Sequence, residues 1–222
     1  MQTPSRVRTL ALIGNPNTGK TTLFNALTGL SQHSGNYPGV TVEHKVGTLA
    51  LEGAALDLVD LPGTYSLAAH SPDEMLAVDV LLGQQPDAPS IDGILAIVDA
   101  SNLRRNLYLV SQLADTGLPL VVALNMVDIA LRRGIRIDAE ALSQSLGAPV
   151  VPICAHRRQG LDDLRRTLSS LSVDPTNKVQ PTTRVELPPA LEHGIAAVQT
   201  LATRPLSPVE ALRTLVDEDS YA

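Results

Sequence analysis

The stretch Gly14-Asn15-Pro16-Asn17-Thr18-Gly19-Lys20-Thr21 fits G-x-x-x-x-G-K-[ST] and stands between an apolar run and an amphipathic one. Before it, Val7, Leu10, Ala11, Leu12 and Ile13 predict a buried strand; after it, Leu23, Phe24 and Leu27 recur at helical spacing. A loop joining a strand to a helix N-terminus leaves the chain little freedom. Its unpaired backbone N–H groups and the positive end of the helix dipole face one point, and its glycines let the backbone close around a polyphosphate. The candidate phosphate-binding residues are Gly14, Asn15, Pro16, Asn17, Thr18, Gly19, Lys20, Thr21 and Thr22. Lys20 is positioned to reach the β- and γ-phosphates, and Thr21 to bind Mg²⁺ through its hydroxyl.

The chain has 222 residues, enough for one substantial domain of roughly 170 residues and a smaller appendage. With one Phe, four Tyr and no Trp, its core must come from Leu, Val, Ile and Ala. Stacking platforms for single-stranded nucleic acid are not expected. Seventeen basic against twenty-three acidic residues give a net charge of −6, which argues further against a nucleic-acid partner. The pairs Arg104-Arg105, Arg132-Arg133 and Arg157-Arg158 read as solvated surface. A single cysteine, Cys154, forms no internal disulfide and suits a reducing compartment. No apolar run reaches the ~18 residues that span a bilayer, so the residues present read as soluble and cytosolic.

After the first helix, which ends near Thr28-Gly29, Ser31 to Thr41 reads as a mobile polar loop. Val42 to Leu51 and Ala55 to Asp60 read as a β-hairpin around Glu52-Gly53. Ser71-Pro72-Asp73-Glu74 is a capping box that starts a helix running to about Leu82. Strands follow at 91–99, 118–124 and 150–153, alternating with helices whose apolar positions include Leu103, Leu107 and Val110, a polar helical region from Asp128 to Leu146, and a stripe of Leu161, Leu164, Leu168 and Leu171. This is an α/β pattern, a mostly parallel sheet covered by helices on both faces with one antiparallel hairpin. Residues 1–171 form the main domain, 172–184 a linker, and 185–222 a C-terminal helical segment. Its two amphipathic helices, through Leu187, Leu191, Ile195, Val198 and Leu201 and then Leu212 and Val216, cannot bury both stripes alone.

Asp60-Leu61-Pro62-Gly63 ends a strand with an acid suited to Mg²⁺, and Gly63 lets a backbone N–H approach a γ-phosphate. Thr41 reads either as a hydroxyl that closes over Mg²⁺ or as an ordinary strand start. In Asn125-Met126-Val127-Asp128, the Asp128 carboxylate can accept from both N1–H and the exocyclic amine of guanine, whereas adenine offers an acceptor at N1. Guanine is therefore the expected base. Cys154-Ala155, after the last strand, is expected to supply a backbone N–H to guanine O6, with the Cys154 thiol itself a small buried group. No Gln follows Gly63, so Thr64 or backbone groups must orient the attacking water, and slow turnover is expected. Asn17 reads either as a ligand for a monovalent cation beside the phosphates or as a residue that tolerates positive φ. His33, His44, His70, His156 and His193 show no metal-ligand spacing.

Four segments carry a resemblance: Gly14 to Asn25, Asn36-Tyr37-Pro38-Gly39-Val40-Thr41-Val42-Glu43, Asp60-Leu61-Pro62-Gly63-Thr64-Tyr65-Ser66-Leu67 and Asn125-Met126-Val127-Asp128. Together they resemble the cytosolic G domain of the FeoB family of bacterial ferrous-iron transporters, over about residues 7–171. The resemblance implies a Ras-like P-loop GTPase fold and Mg²⁺-dependent hydrolysis of GTP to GDP, with Mg²⁺ held by Thr21, Thr41 and Asp60. It further implies K⁺ stimulation through Asn17, and Thr41 and Gly63 closing on the γ-phosphate beside Lys20 and Thr64. It implies a cytoplasmic domain of a bacterial inner-membrane protein, followed by a helical domain acting on nucleotide dissociation and by a membrane-embedded remainder of the same chain, with homo-oligomerisation left open. The chain looks like a fragment of such a protein. Cys154 departs from the Ser common in the family. A soluble ribosome-assembly or tRNA-modification GTPase and a scaffold that holds GTP without turnover are the competing readings.

Overall fold

The computed structural model describes residues 8–29, 32–36, 43–51, 54–68, 71–86, 88–173, 189–203, 206 and 208–216. In chain order the elements are β1 (Arg8–Gly14), α1 (Lys20–Thr28), β2 (Gln32–Asn36), β3 (Glu43–Leu51), β4 (Ala54–Asp60), α2 (Pro72–Leu81), β5 (Gly93–Asp99), α3 (Leu103–Ala114) and β6 (Leu120–Asn125). There follow α4 (Val127–Arg132), α5 (Ala139–Leu146), β7 (Val150–Pro152), α6 (Leu161–Val173), α7 (Pro189–Leu201) and α8 (Pro208–Val216).

β1 is apolar from Leu10 to Ile13 because it is covered there on both faces. Ala11 and Ile13 pack with α2 and α3 residues such as Val78 and Leu113. Leu10 and Leu12 point the other way, into Leu23 and Phe24 of α1 and Leu164 and Leu168 of α6. Each Leu or Phe so buried contributes about 1.5–3 kcal/mol. The seven strands form one sheet in the order β2-β3-β4-β1-β5-β6-β7. The pairs from β4 through β7 are parallel; β2 and β3 run antiparallel at one edge. The mostly parallel α/β expectation therefore holds. Its consequence is that Gly14, Asp60, Asp99, Asn125 and Pro152 all end their strands at the same rim of the sheet.

Local chemistry sets several boundaries. Ser71 caps α2 by accepting from the Glu74 N–H at 3.2 Å, and Pro72 occupies the first helical position. Two expectations are corrected. Gln32–Asn36, read as part of a mobile loop, is an edge strand whose register runs from Gln32 opposite Gly47 to Asn36 opposite Glu43. Its five residues carry no apolar alternation, and the backbone of β3 supplies the pairing instead. The helical region read from Asp128 to Leu146 is two helices. Gly134 (φ 75) ends the first and Asp138 caps the second, its Oδ1 accepting from Glu140 and Ala141.

The turn at Glu52-Gly53, and most of the segment read as a linker, lie outside the described residues; α6 itself extends to Val173. α7 and α8 pack on each other, with the Gly194 backbone close against Leu215. Leu201 stays 83 % exposed.

Candidate nucleotide-binding site

The glycine-rich loop is shaped by close approach on both sides. A Cβ on Gly14 would lie 2.5 Å from the carbonyl oxygen of Ile97 on β5. Gly19 sits at φ 88, and a Cβ there would lie 2.6 Å from the side-chain nitrogen of Asn125. Asn17 also adopts positive φ (66) and is exposed. Unlike α2 and α5, α1 has no side-chain cap at its N-terminus, so no side chain competes for the N–H groups of its first turn. Gly19→Ala is expected to strain the loop and displace Asn125, lowering guanine-nucleotide affinity by on the order of 10²-fold. Titration with GDP checks this, and unchanged affinity contradicts it.

Lys20 Nζ donates to Asp60 Oδ1, an ion pair that is mostly buried. The chain after β4 continues beside β1: the Leu61 N–H donates to the Leu12 carbonyl at 3.1 Å and the Thr64 N–H to that of Gly14 at 3.2 Å. Gly63 lies against Pro16, where a Cβ would come within 3.3 Å. These contacts close a cleft of about 440 Å³ lined by Asn15, Asn17, Lys20, Thr21, Gly63 and Met126, among others.

The Thr64 side chain is turned inward. It is fully buried, and its hydroxyl donates to the Ser66 carbonyl at 2.6 Å with Glu74 Oε1 at 3.3 Å. Thr18 is likewise turned inward, donating to the Asn15 carbonyl at 2.8 Å. Thr41 lies outside the described residues.

At the other end of the rim, Asn125 ties two loops together. Its Nδ2 donates to the Thr18 carbonyl at 2.8 Å and its Oδ1 accepts from the Ala155 N–H at 3.0 Å. The Cys154 N–H donates to the Gln159 carbonyl at 3.0 Å. Both backbone N–H groups of Cys154-Ala155, the pair expected to supply one to guanine O6, therefore have partners within the protein. Met126, at φ 61, turns the chain so that α4 starts with Asp128 in its first turn.

Asp128 collects partners. The Cys154 thiol donates to its Oδ1 at 3.3 Å, Arg132 reaches its Oδ2 at 3.3 Å, and His156 Nε2 and Arg157 lie 4.0 Å from Oδ2. Burial pushes the Asp128 carboxyl up, but the thiol and the His156, Arg132 and Arg157 charges outweigh it and hold it below the usual carboxylate range. Burial and the neighbouring carboxylate push the Cys154 thiol up, so it stays protonated. Arg132 and Arg157, read from sequence as solvated surface, therefore face the carboxylate. Arg105 stacks over the Tyr65 ring at 4.2 Å. The assembly of Asp128, Cys154 and His156 escaped sequence reading, although Cys154-x-His156 was a local signal for it.

A glycine-rich loop before an uncapped helix, a lysine–aspartate pair and a buried asparagine clamp, all on the carboxyl rim of this sheet, define the P-loop GTPase class. The family model for ferrous iron transport protein B matches residues 8–168, and the chain belongs to that family. The Fe(2+) transporter FeoB of Salmonella typhimurium is 51% identical over 161 residues, 71% of this chain and 20% of the relative, so the chain spans about a fifth of its length. The cytosolic domain of L. pneumophila FeoB superposes with a TM-score of 0.80 at 41% identity, covering 93% of this chain and 85% of the other. A GDP-bound mutant of S. thermophilus NFeoB gives 0.75 at 38% identity, covering 93% and 76%.

Proposed function

We propose that this chain binds GTP, hydrolyses it slowly, and serves as the cytoplasmic nucleotide switch of a ferrous-iron transporter in a bacterial inner membrane. Its partner in that role is the membrane-embedded remainder of its own chain. The observation that carries the reading is one cleft lined by Asn17, Lys20, Thr21, Gly63 and Met126, with Asp60 paired to Lys20 and Asn125 tied to the Thr18 carbonyl of the same loop. The GDP-bound S. thermophilus relative supports guanine as the base, and the cytosolic L. pneumophila domain supports the cellular location. No helix among the described residues is long and apolar enough to cross a membrane. In this reading residues 1–171 bind the nucleotide, 172–184 link, and 185–222 begin a helical domain that regulates its dissociation.

The residues fit the ions such a site uses. Thr21, Asp60 and Thr41 offer hard oxygen donors suited to Mg²⁺, and the exposed Asn17 offers a neutral oxygen suited to K⁺. Asn15 adds support: it is 3% exposed, and neither its Oδ1 nor its Nδ2 has a partner among the described residues. Such a group calls for a ligand. When bound, the cations offset charge that develops on the transferred phosphoryl group. Lys20 holds the phosphates, Gly63 lets the backbone approach them, and Asp128 selects the base. With the Thr64 hydroxyl engaged by the Ser66 carbonyl and Glu74, backbone groups orient the water in this reading, and slow turnover is the expected result.

GTP hydrolysis is expected to run on the order of tenfold or more faster in K⁺ than in Na⁺, and Asn17→Ala is expected to erase the difference. A K⁺ response that survives in Asn17→Ala removes that residue's role. No turnover in either salt favours the non-hydrolysing scaffold, the reading that the engaged Thr64 hydroxyl speaks for.

A further inference from the structure

We propose that Asp128 Oδ1, Cys154 Sγ and a ring nitrogen of His156 form a binding site for a divalent transition cation of borderline softness, and that this cation competes with guanine for Asp128. A carboxylate oxygen of Asp128, the Cys154 sulfur and a ring nitrogen of His156 all lie within 4.8 Å of one another. Sγ stands 3.3 Å from Oδ1 and 3.4 Å from His156 Nδ1. A tetrahedral ion with metal–sulfur bonds of about 2.3 Å and metal–nitrogen or –oxygen bonds of about 2.0–2.1 Å sets its ligand atoms about 3.3–3.6 Å apart. The two distances from sulfur are already near that spacing, and the carboxylate and imidazole, 4.0 Å apart at Oδ2 and Nε2, have only to draw closer.

The donor set is one sulfur, one nitrogen and one oxygen. It selects Zn²⁺, Co²⁺ or Fe²⁺ and disfavours Mg²⁺, which prefers six oxygens. The loop that carries two of the ligands is closed on itself: the Cys154 N–H donates to the Gln159 carbonyl, the Gln159 N–H returns to the Cys154 carbonyl at 3.2 Å, and the Arg157 N–H donates to the Cys154 carbonyl at 3.0 Å. Cys154 and His156 are thereby held in place before any ligand arrives. Arg132 and Arg157 oppose a cation by charge, but both reach Oδ2 and leave Oδ1 to the thiol side. Their side chains are 70% and 56% exposed, so their charges are well solvated. His156 is itself exposed and gives access, and water completes the coordination.

On binding, the metal–sulfur bond replaces the S–H bond, the proton passes to solvent, and neutral imidazole donates its lone pair. Oδ1 is then no longer available to guanine. This competition rests on the guanine reading of Asp128 given above; the metal site does not. By linkage, metal lowers nucleotide affinity by the same factor as nucleotide lowers metal affinity.

The test is titration of the reduced, nucleotide-free chain with Co²⁺ under anaerobic conditions. Cys154 is the only cysteine in the sequence, so a thiolate-to-cobalt charge-transfer band reports this site alone. The band is expected to saturate at one equivalent, to vanish on addition of Zn²⁺ but not Mg²⁺, and to need roughly tenfold or more Co²⁺ in His156→Ala and in Asp128→Asn. Absence of the band, or equal affinity in both variants, overturns the metal site and leaves guanine binding untouched. Addition of GDP is expected to bleach the band. A band that persists with GDP bound keeps the metal site and overturns both the competition and the base-reading role of Asp128.

Discussion

Asp128→Asn is expected to weaken GTP and GDP binding by on the order of 10³-fold or more and to make xanthine nucleotides the preferred ligands. Guanine offers two donors on one edge, N1–H and the exocyclic amine, and a carboxylate can accept both. Asn keeps one acceptor but turns an amine toward the guanine amine, leaving two donors opposed. Sites built to hydrogen-bond a particular edge discriminate by factors of this size, because a buried mismatch leaves polar groups unpaired. Xanthine replaces the guanine amine with an oxo group and restores the pairing. The native carboxylate is ready for this work: the Cys154 thiol, His156, Arg132 and Arg157 keep it ionised although burial opposes them. Parallel titrations with GDP and its xanthine counterpart measure the switch. Unchanged GDP affinity would remove Asp128 as the reader of the base.

Lys20→Met is expected to separate stability from binding. Lys20 and Asp60 form a mostly buried pair, and removing the lysine leaves the carboxylate without its cation. The nucleotide-free variant is expected to lose about 2–3 kcal/mol in urea unfolding. Adding Asp60→Asn removes the uncompensated charge, and the double variant should recover most of that loss because the two side chains act as one unit. GDP affinity behaves differently. It is expected to fall on the order of 10²-fold in Lys20→Met and to stay low in the double variant, because the phosphates lose their cation either way. If the double variant regained affinity, Lys20 would act through Asp60 rather than on the phosphates.

The sheet and its phosphate loop were readable because their physics is local. β1 is covered on both faces from Leu10 to Ile13 and reads there as an apolar run, and Ser71 announces α2 through a hydrogen bond only three residues long. The loop from Gly14 to Thr21 combines glycines with a lysine at a spacing that suits one task. β2 was missed because an edge strand with no buried face carries no alternation; its partner's backbone makes it a strand. The break between α4 and α5 had its own punctuation in Gly134 and Asp138, which the run of helix-forming residues around it obscured.

The sequence alone was sufficient for the α/β class, the family, and the glycine-rich loop between β1 and α1, since each rests on neighbours along the chain. Only the folded arrangement could show that Thr64 is turned inward, that Asn125 takes up the Ala155 N–H, and that Cys154, 26 positions along the chain, brings His156 with it to the Asp128 carboxylate. The reason is physical. A buried hydroxyl or N–H takes whichever partner packing brings within about 3 Å, and that partner is set by the crossing of strands rather than by spacing in sequence.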